Sequence, residues 1–161
     1  MEIRPATEKD FEEIYKIFRK VVQRGDTFPY PIETSKEEAY EILMGTSVSP
    51  YIALDGVRIV GSYHIKANWP GRGAHTANGT YMVDPEYRGR GVGLALGEHS
   101  LVTAKAKGFK AMQFNYVVST NAAAVHLWKK IGMNIVGTTP KTFDHVSQGL
   151  VDTYVMHKYL D

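Results

Sequence analysis

Val83-Asp84-Pro85-Glu86-Tyr87-Arg88-Gly89-Arg90-Gly91-Val92-Gly93 is the stretch on which the reading of this chain turns. Before it, Thr76 to Val83 reads as a β-strand. After it, a helix runs to about Lys107, and Gly108 fits its C-terminal cap. Glycines at a strand-to-helix turn let backbone N–H groups come close to an anion. The helix N-terminus adds partial positive charge, and Arg88 and Arg90 add full charges. Together these features make a phosphate-binding turn. It is neither of the two commonest kinds. A dinucleotide fingerprint needs glycine where Leu94 stands, and no Gly-Lys-Ser/Thr run of a P-loop exists. Glycines serving only a tight turn would not explain the crowding of three glycines and two arginines.

Outward from this turn the chain alternates between two periods. Toward the N-terminus, Met1 to Ala6 reads as a short strand. Thr7 and Asp10 are placed as a capping box before a helix whose apolar face is Phe11, Ile14, Ile17, Phe18, Val21 and Val22, and Gly25 ends it. Gly25 to Pro31 is a loop with two prolines and the aromatics Phe28 and Tyr30; such a loop either covers a pocket or packs as a helix connection. Ser35 caps a second helix, Lys36 to Met44. Tyr51 to Leu54 and Arg58 to Lys66 are strands joined at Asp55-Gly56. Toward the C-terminus, Ala111 to Val118 is a strand. Asn121 caps a helix with Ala124, Val125, Trp128 and Ile131 on one face, and Gly132 closes it. Asn134 to Gly137 reads as a short strand. A polar loop with Phe143, Asp144 and His145 leads to a last strand, Leu150 to Tyr159. Seven strands and four helices in this order predict an α/β fold with a mixed sheet, in one domain spanning 1–161.

Composition narrows the function. The chain has 161 residues and no cysteine, which excludes disulfides, thiolate metal sites and a cysteine nucleophile. Its 19 Lys and Arg against 17 Asp and Glu give a net charge of +2, too balanced for a nucleic-acid binder. The N-terminus does not read as a leader, and no apolar run nears the ~20 residues of a membrane span, so a cytoplasmic protein is expected. The six histidines show no paired metal spacing, so no metal is expected.

Three motifs, in order along the chain, resemble the GNAT superfamily, the Gcn5-related N-acetyltransferases. Arg88-x-x-Gly91-x-Gly93 resembles its pyrophosphate loop, preceded by Met82-Val83-Asp84-Pro85-x-Tyr87. Asn121-x-x-Ala124-x-x-Leu127-Trp128-x-Lys130-x-Gly132-Met133 is similar to its next motif. Ile3-Arg4-x-Ala6-x-x-x-Asp10 resembles its first strand and helix start. The resemblance implies a mostly antiparallel twisted sheet and acetyl-CoA as co-substrate. Arg88, Gly89, Arg90, Gly91, Val92 and Gly93 would form the pyrophosphate cradle. Met82 and Val83 would pair with the pantetheine arm as an added strand does, and the Val83 N–H would face the thioester oxygen. Asn121 would reach the pantetheine or serve only as a cap. Lys130 would meet the ribose phosphate or only solvent. A homodimer is also implied.

Direct transfer of acetyl to an amine needs a deprotonated amine, alignment and a donor to the oxyanion. The family often has a tyrosine, the proton donor to the departing thiolate, where this chain has Trp128. An indole N–H can donate a hydrogen bond but is no acid at neutral pH, so Trp128 stabilises the thiolate or packs against the cofactor. Tyr116 is a remote alternative proton source. The strand Thr76 to Val83 carries no carboxylate to act as base. Of the candidate bases, Asp84 reads as the end of the strand and His64 and His75 as surface or strand histidines, so a water relay is the expected route for the proton, with Asn78 able to hold substrate or that water. Asn78-Gly79, Phe114-Asn115-x-Val117-x-x-x-Asn121 and Trp128 also resemble the fungal acetyltransferases that act on azetidine-2-carboxylate. That implies a small amino or imino acid as acceptor, handled by Asn78, with Asn121 toward the cofactor; the aromatic, proline-rich loop with Phe28 and Tyr30 reads as a lid over such a small acceptor. A protein- or peptide-modifying acetyltransferase and a non-catalytic acyl-CoA-binding module remain as alternatives.

Overall fold

The computed structural model describes residues 1–161. Seven strands form one sheet: β1 (Glu2–Pro5), β2 (Ser49–Asp55), β3 (Arg58–Ala67), β4 (Thr76–Val83), β5 (Ala111–Val118), β6 (Asn134–His145) and β7 (Gly149–Tyr159). Four α-helices accompany them: α1 (Phe11–Arg24), α2 (Lys36–Met44), α3 (Val92–Ala106) and α4 (Ala122–Lys130). The order across the sheet is β1-β2-β3-β4-β5-β7-β6. Every neighbouring pair is antiparallel except β4 and β5. The mixed, mostly antiparallel sheet with four helices is thus observed as expected.

The apolar residues of α1 recur at helical spacing and all six are buried. Asp10 holds the start of this segment, accepting from the Thr7 N–H at 2.7 Å and from Arg4 at 2.8 and 2.9 Å. α2 opens with a reciprocal box: the Glu38 N–H donates to Ser35 Oγ, and the Ser35 N–H to the Glu38 carboxylate. α1 and α2 cover one face of the sheet, packed on Ile52 and Met82. On the opposite face the core gathers Tyr63, Ile65, Leu96, Met112, Phe114 and Trp128, beneath α3 and α4. α3 and α4 come close because Gly97 has no side chain: a Cβ there would lie 3.0 Å from Trp128 Cζ3 and 3.1 Å from Ile131 Cδ1.

The parallel pair is short. Thr76, Ala77 and Asn78 pair with Ala111, Met112 and Gln113, and no pairing follows. β5 is also bulged against β7 between Phe114 and Val117, and a bulge bends its strand. Beyond Asn78 the two strands therefore part, and a gap opens in the middle of the sheet.

The C-terminal hairpin departs from expectation. Asn134 to Gly137 is only the start of β6, which continues through Pro140 and Phe143 to His145. The predicted polar loop is thus strand, with register shifts between Ile135 and Gly137 and between Thr139 and Phe143. Proline is tolerated there because β6 is an edge strand and Pro140 lies within the second irregularity; Lys141 takes a φ of 54° beside it. The extension carries the hairpin tip to the loop after α1, where the Val146 N–H donates to the Gly25 carbonyl at 3.0 Å. No helix is long and apolar enough to cross a membrane.

Candidate active site

A cavity of about 690 Å³ occupies the gap between β4 and β5 and extends onto the α1/α2 side of the sheet. One end is the turn between β4 and α3. Gly89 and Gly91 adopt φ of 74° and 79°, which an L side chain resists. This geometry turns the backbone so that the six N–H groups from Gly89 to Leu94 have no acceptor in the protein. No acidic residue stands in the first turn of α3, so its positive end is uncompensated. The nearby carboxylates are already engaged, Asp26 by Arg24 at 2.7 Å. Asp84 pairs with Lys20 at 3.2 Å and Arg58 at 3.1 Å, and Glu86 pairs with the same two cations. Burial alone would raise the Asp84 pKa, but the Glu86 N–H, Lys20 and Arg58 outweigh it and hold it below the usual carboxylate range. Arg88 is left facing the cavity without a carboxylate partner. Burial, and then the nearby Arg24, push its guanidinium below its ordinary pKa. This end of the cavity is short of an anion.

Two residues expected to meet the cofactor, Arg90 in the pyrophosphate cradle and Lys130 at the ribose phosphate, do not line the cavity. The Arg90 guanidinium lies over the Tyr87 ring at 4.8 Å and does not line the cavity. Lys130 is exposed and also outside it. Val92 and Gly93 line the cavity from the first turn of α3. Gly93 has a packing duty as well, since a Cβ there would stand 3.0 Å from Leu127 Cδ1.

The free edge of β4 follows the turn. The Asp84 N–H donates to the Val60 carbonyl of β3 at 2.9 Å. Backbone groups alternate along a strand, so the N–H of Val83 points to the other edge, where β5 has left. An extended polar arm can pair there. Met82 faces the α1/α2 side, buried with Ile52.

The α3/α4 side of the gap is aromatic. Trp128 is buried against Tyr81 and Phe114, with ring centroids 4.7 and 4.8 Å away. Tyr81 has no free hydroxyl to offer: it bonds Ser100 Oγ at 2.7 Å, and burial raises its pKa. Asn121 accepts from the Ala124 N–H at 3.3 Å, so it does cap α4, and it also lines the cavity. Its side-chain N–H groups remain free for a second partner. Tyr116 lines the cavity too, its hydroxyl donating to the Thr142 carbonyl.

On the α1/α2 side, Phe28 and Tyr30 pack on Phe18 and on each other, at 6.0 Å, and wall the cavity. Burial raises the Tyr30 pKa. Asn78 lines the same space, beside Lys66 of β3 and Gln113 of β5. The structure separates the candidate bases. His75 is exposed and outside the cavity, and Asp84 is consumed by its ion pairs. His64 is buried and lines the cavity. Lys66 and Glu41 also line it, and sequence reasoning missed both. Lys66 shares the parity of His64 along β3, but only the pairing of Lys66 with Asn78 brings it to the site. Nothing in the sequence marks Glu41, which sits on α2. No three His, Cys, Asp or Glu side chains gather to hold a metal ion.

A seven-stranded sheet split between β4 and β5, with an anion-seeking turn at the split, defines a protein built to seat an elongated anionic ligand across its sheet. The chain belongs to the acetyltransferase (GNAT) family, whose model it matches over residues 11–133, and it is an N-acetyltransferase. It is similar to N-acetyltransferase aca1 of Schizosaccharomyces pombe, with 29% identity over 153 residues, covering 83% of this chain and 72% of the relative. Its fold is shared with a GCN5-related N-acetyltransferase from Kribbella flavida at a TM-score of 0.94 and 38% identity, covering 98% of this chain and 96% of that one. A GNAT phosphinothricin acetyltransferase from Sinorhizobium meliloti, solved with acetyl-CoA, is similar at a TM-score of 0.86 and 22% identity, covering 98% and 87%.

Proposed function

We propose that this enzyme transfers acetyl from acetyl-CoA directly to the amine of a small molecule, with an amino or imino acid as the leading acceptor class. The observation that carries this reading is the single cavity joining the anion-seeking turn to a pocket under Phe28 and Tyr30. The residues at the turn fit the co-substrate. Arg88 and the six free N–H groups match a pyrophosphate. The open edge of β4 matches the amides of a pantetheine arm, and the Val83 N–H is available to the thioester oxygen. Asn121 has a donor free for the same arm. Trp128 walls the thioester side and is a hydrogen-bond donor there, not an acid.

The acceptor half supports a small molecule. The loop after α1 is tied to the β6–β7 tip through Val146 and Gly25 and puts the aromatic rings of Phe28 and Tyr30 on the cavity wall, which favours a small acceptor over an extended peptide. Asn78, with one donor group and one acceptor, can orient an amine or a relay water. A fold neighbour is, by its name, a phosphinothricin acetyltransferase, and a small-molecule acceptor of that kind is compatible with this pocket. Thiol release from acetyl-CoA across a panel of amino acids, imino acids, plain amines and short peptides tests the reading. We expect release with amino or imino acids above all. Acetylation of the peptides alone would overturn it.

A further inference from the structure

We propose that His64 and Lys66 form the acceptor subsite: a ring nitrogen of His64 takes the proton of the attacking amine, and Lys66 holds an anionic group carried beside that amine. The inference rests on the small-amine reading above and goes further, assigning the base and the ground of selectivity.

His64 keeps 5% of its surface and lines the cavity. No side chain or carbonyl bonds its ring, yet neither nitrogen is sealed away unsatisfied. A nearly buried imidazole without a protein partner, open only to a cavity, is a group awaiting one. In β3, His64 pairs with Thr80 and Lys66 with Asn78. The two side chains share one face, about 7 Å apart along the strand. That face is the α1/α2 side, with Phe28 and Tyr30. Lys66 has no carboxylate partner among the protein's ion pairs. The other titratable groups on this part of the cavity wall are Glu41 of α2, Tyr30 of the loop and Tyr116 of β5. Pro50 of β2 and Thr80 and Asn78 of β4, which flank the pair, do not titrate.

Burial, and then Lys66, push the His64 imidazole down to about 4. It is therefore neutral at pH 7, with a lone pair to offer. The Lys66 charge is the part of this environment that a substrate can cancel. A carboxylate seated on Lys66 removes the repulsion felt by a forming imidazolium and so makes His64 a better base. In the reaction the amine nitrogen bonds to the thioester carbon and its proton passes to His64. The carbon–sulfur bond then breaks, its electron pair leaves on sulfur, and the proton returns to that thiolate. The products are the amide, coenzyme A as the thiol, and neutral His64.

Matched acceptors test this: L-proline against pyrrolidine, and glycine against methylamine, followed by thiol release. We expect wild type to favour the carboxylate-bearing member by at least tenfold in kcat/KM, and Lys66→Met to bring the ratio within threefold. His64→Leu should lower kcat at least 30-fold with acetyl-CoA affinity unchanged. His64→Gln keeps a hydrogen bond but cannot take a proton, so it should retain KM and lose kcat. A preference unchanged in Lys66→Met overturns the anion subsite. Wild-type kcat in either His64 variant overturns the base. If wild type acetylates no amine of the panel, the small-amine reading fails and this inference falls with it; an active wild type with unaffected variants sinks this inference alone.

Discussion

At Asp10 the carboxylate accepts from Arg4, from the Thr7 N–H and from the Thr7 hydroxyl, and these bonds, that of Arg4 first, hold its pKa at about 2. In the unfolded chain it reverts toward 3.8. Its stabilisation, about 2 kcal/mol, is complete above the unfolded pKa and is lost as the pH falls from about 4 toward 2. His64 acts in the same direction by the opposite route. It is neutral in the fold with a pKa near 4 and 6.5 when free, so the unfolded chain takes up the proton first. Stability then declines as the pH falls from about 6.5 to 4. Urea melts across pH should show both losses. His64→Gln should flatten the curve between pH 4 and 6.5, and Asp10→Asn should flatten it only below 4; a wild-type slope in either variant would contradict the assignment. Two further residues bear on turnover. Trp128→Phe keeps the packing on Tyr81 and Phe114 and removes one neutral N–H, so activity should fall less than tenfold, since such a bond nets about 1 kcal/mol. Asn78→Ala should leave acetyl-CoA binding intact and cut amine-dependent turnover by ~10²-fold, within the range for losing a positioned polar group. Calorimetry and steady-state kinetics on each variant separate these effects.

Among the elements, the start of α3 and its contact with α4 use glycine for different reasons. Gly91 has open space around its Cβ position but a φ of 79°, so its constraint is the backbone. Gly91→Asp adds strain and a negative charge where six N–H groups await an anion. Acetyl-CoA affinity should fall at least tenfold, about 1.4 kcal/mol, measured by calorimetry; unchanged affinity would remove the pyrophosphate assignment. Gly97 has the reverse constraint, since Trp128 and Ile131 both come within 3.1 Å of the point where a methyl group would stand. Gly97→Val should therefore destabilise by about 1–3 kcal/mol, the usual cost of overpacking, and should disturb the Trp128 wall as α4 is pushed outward. Tryptophan fluorescence and chemical melts would show both.

For the whole molecule, the cavity exists because two strands part, so ligand binding and folding are coupled. A ligand that binds only the folded chain stabilises it by about 2.7 kcal/mol at one hundred times its Kd. Saturating acetyl-CoA should thus raise Tm by several degrees, and Gly91→Asp should abolish most of that rise at the same concentration. A Tm insensitive to acetyl-CoA would argue against the cavity as its site. The sequence by itself determined the local features. α1, its capping box, the glycine turn and the strand character of β3 and β4 are set by residues a few positions apart, where periodicity and capping act. It also indicated Arg88, Gly91, Asn121 and Trp128, because they sit in short runs of recognisable chemistry. Tertiary structure alone decided the rest. The length of β6 escaped reading because pairing with β7 overrides the proline and the turn-like composition of 137–142. His64 and His75 look alike in sequence, and only the burial of β3 beneath α1 and α2 separates them. Lys66 reaches Asn78 through strand register, and Glu41 reaches the cavity through helix packing. Such contacts join residues far apart in the chain, whose meeting depends on how the whole sheet pairs and where its two central strands let go.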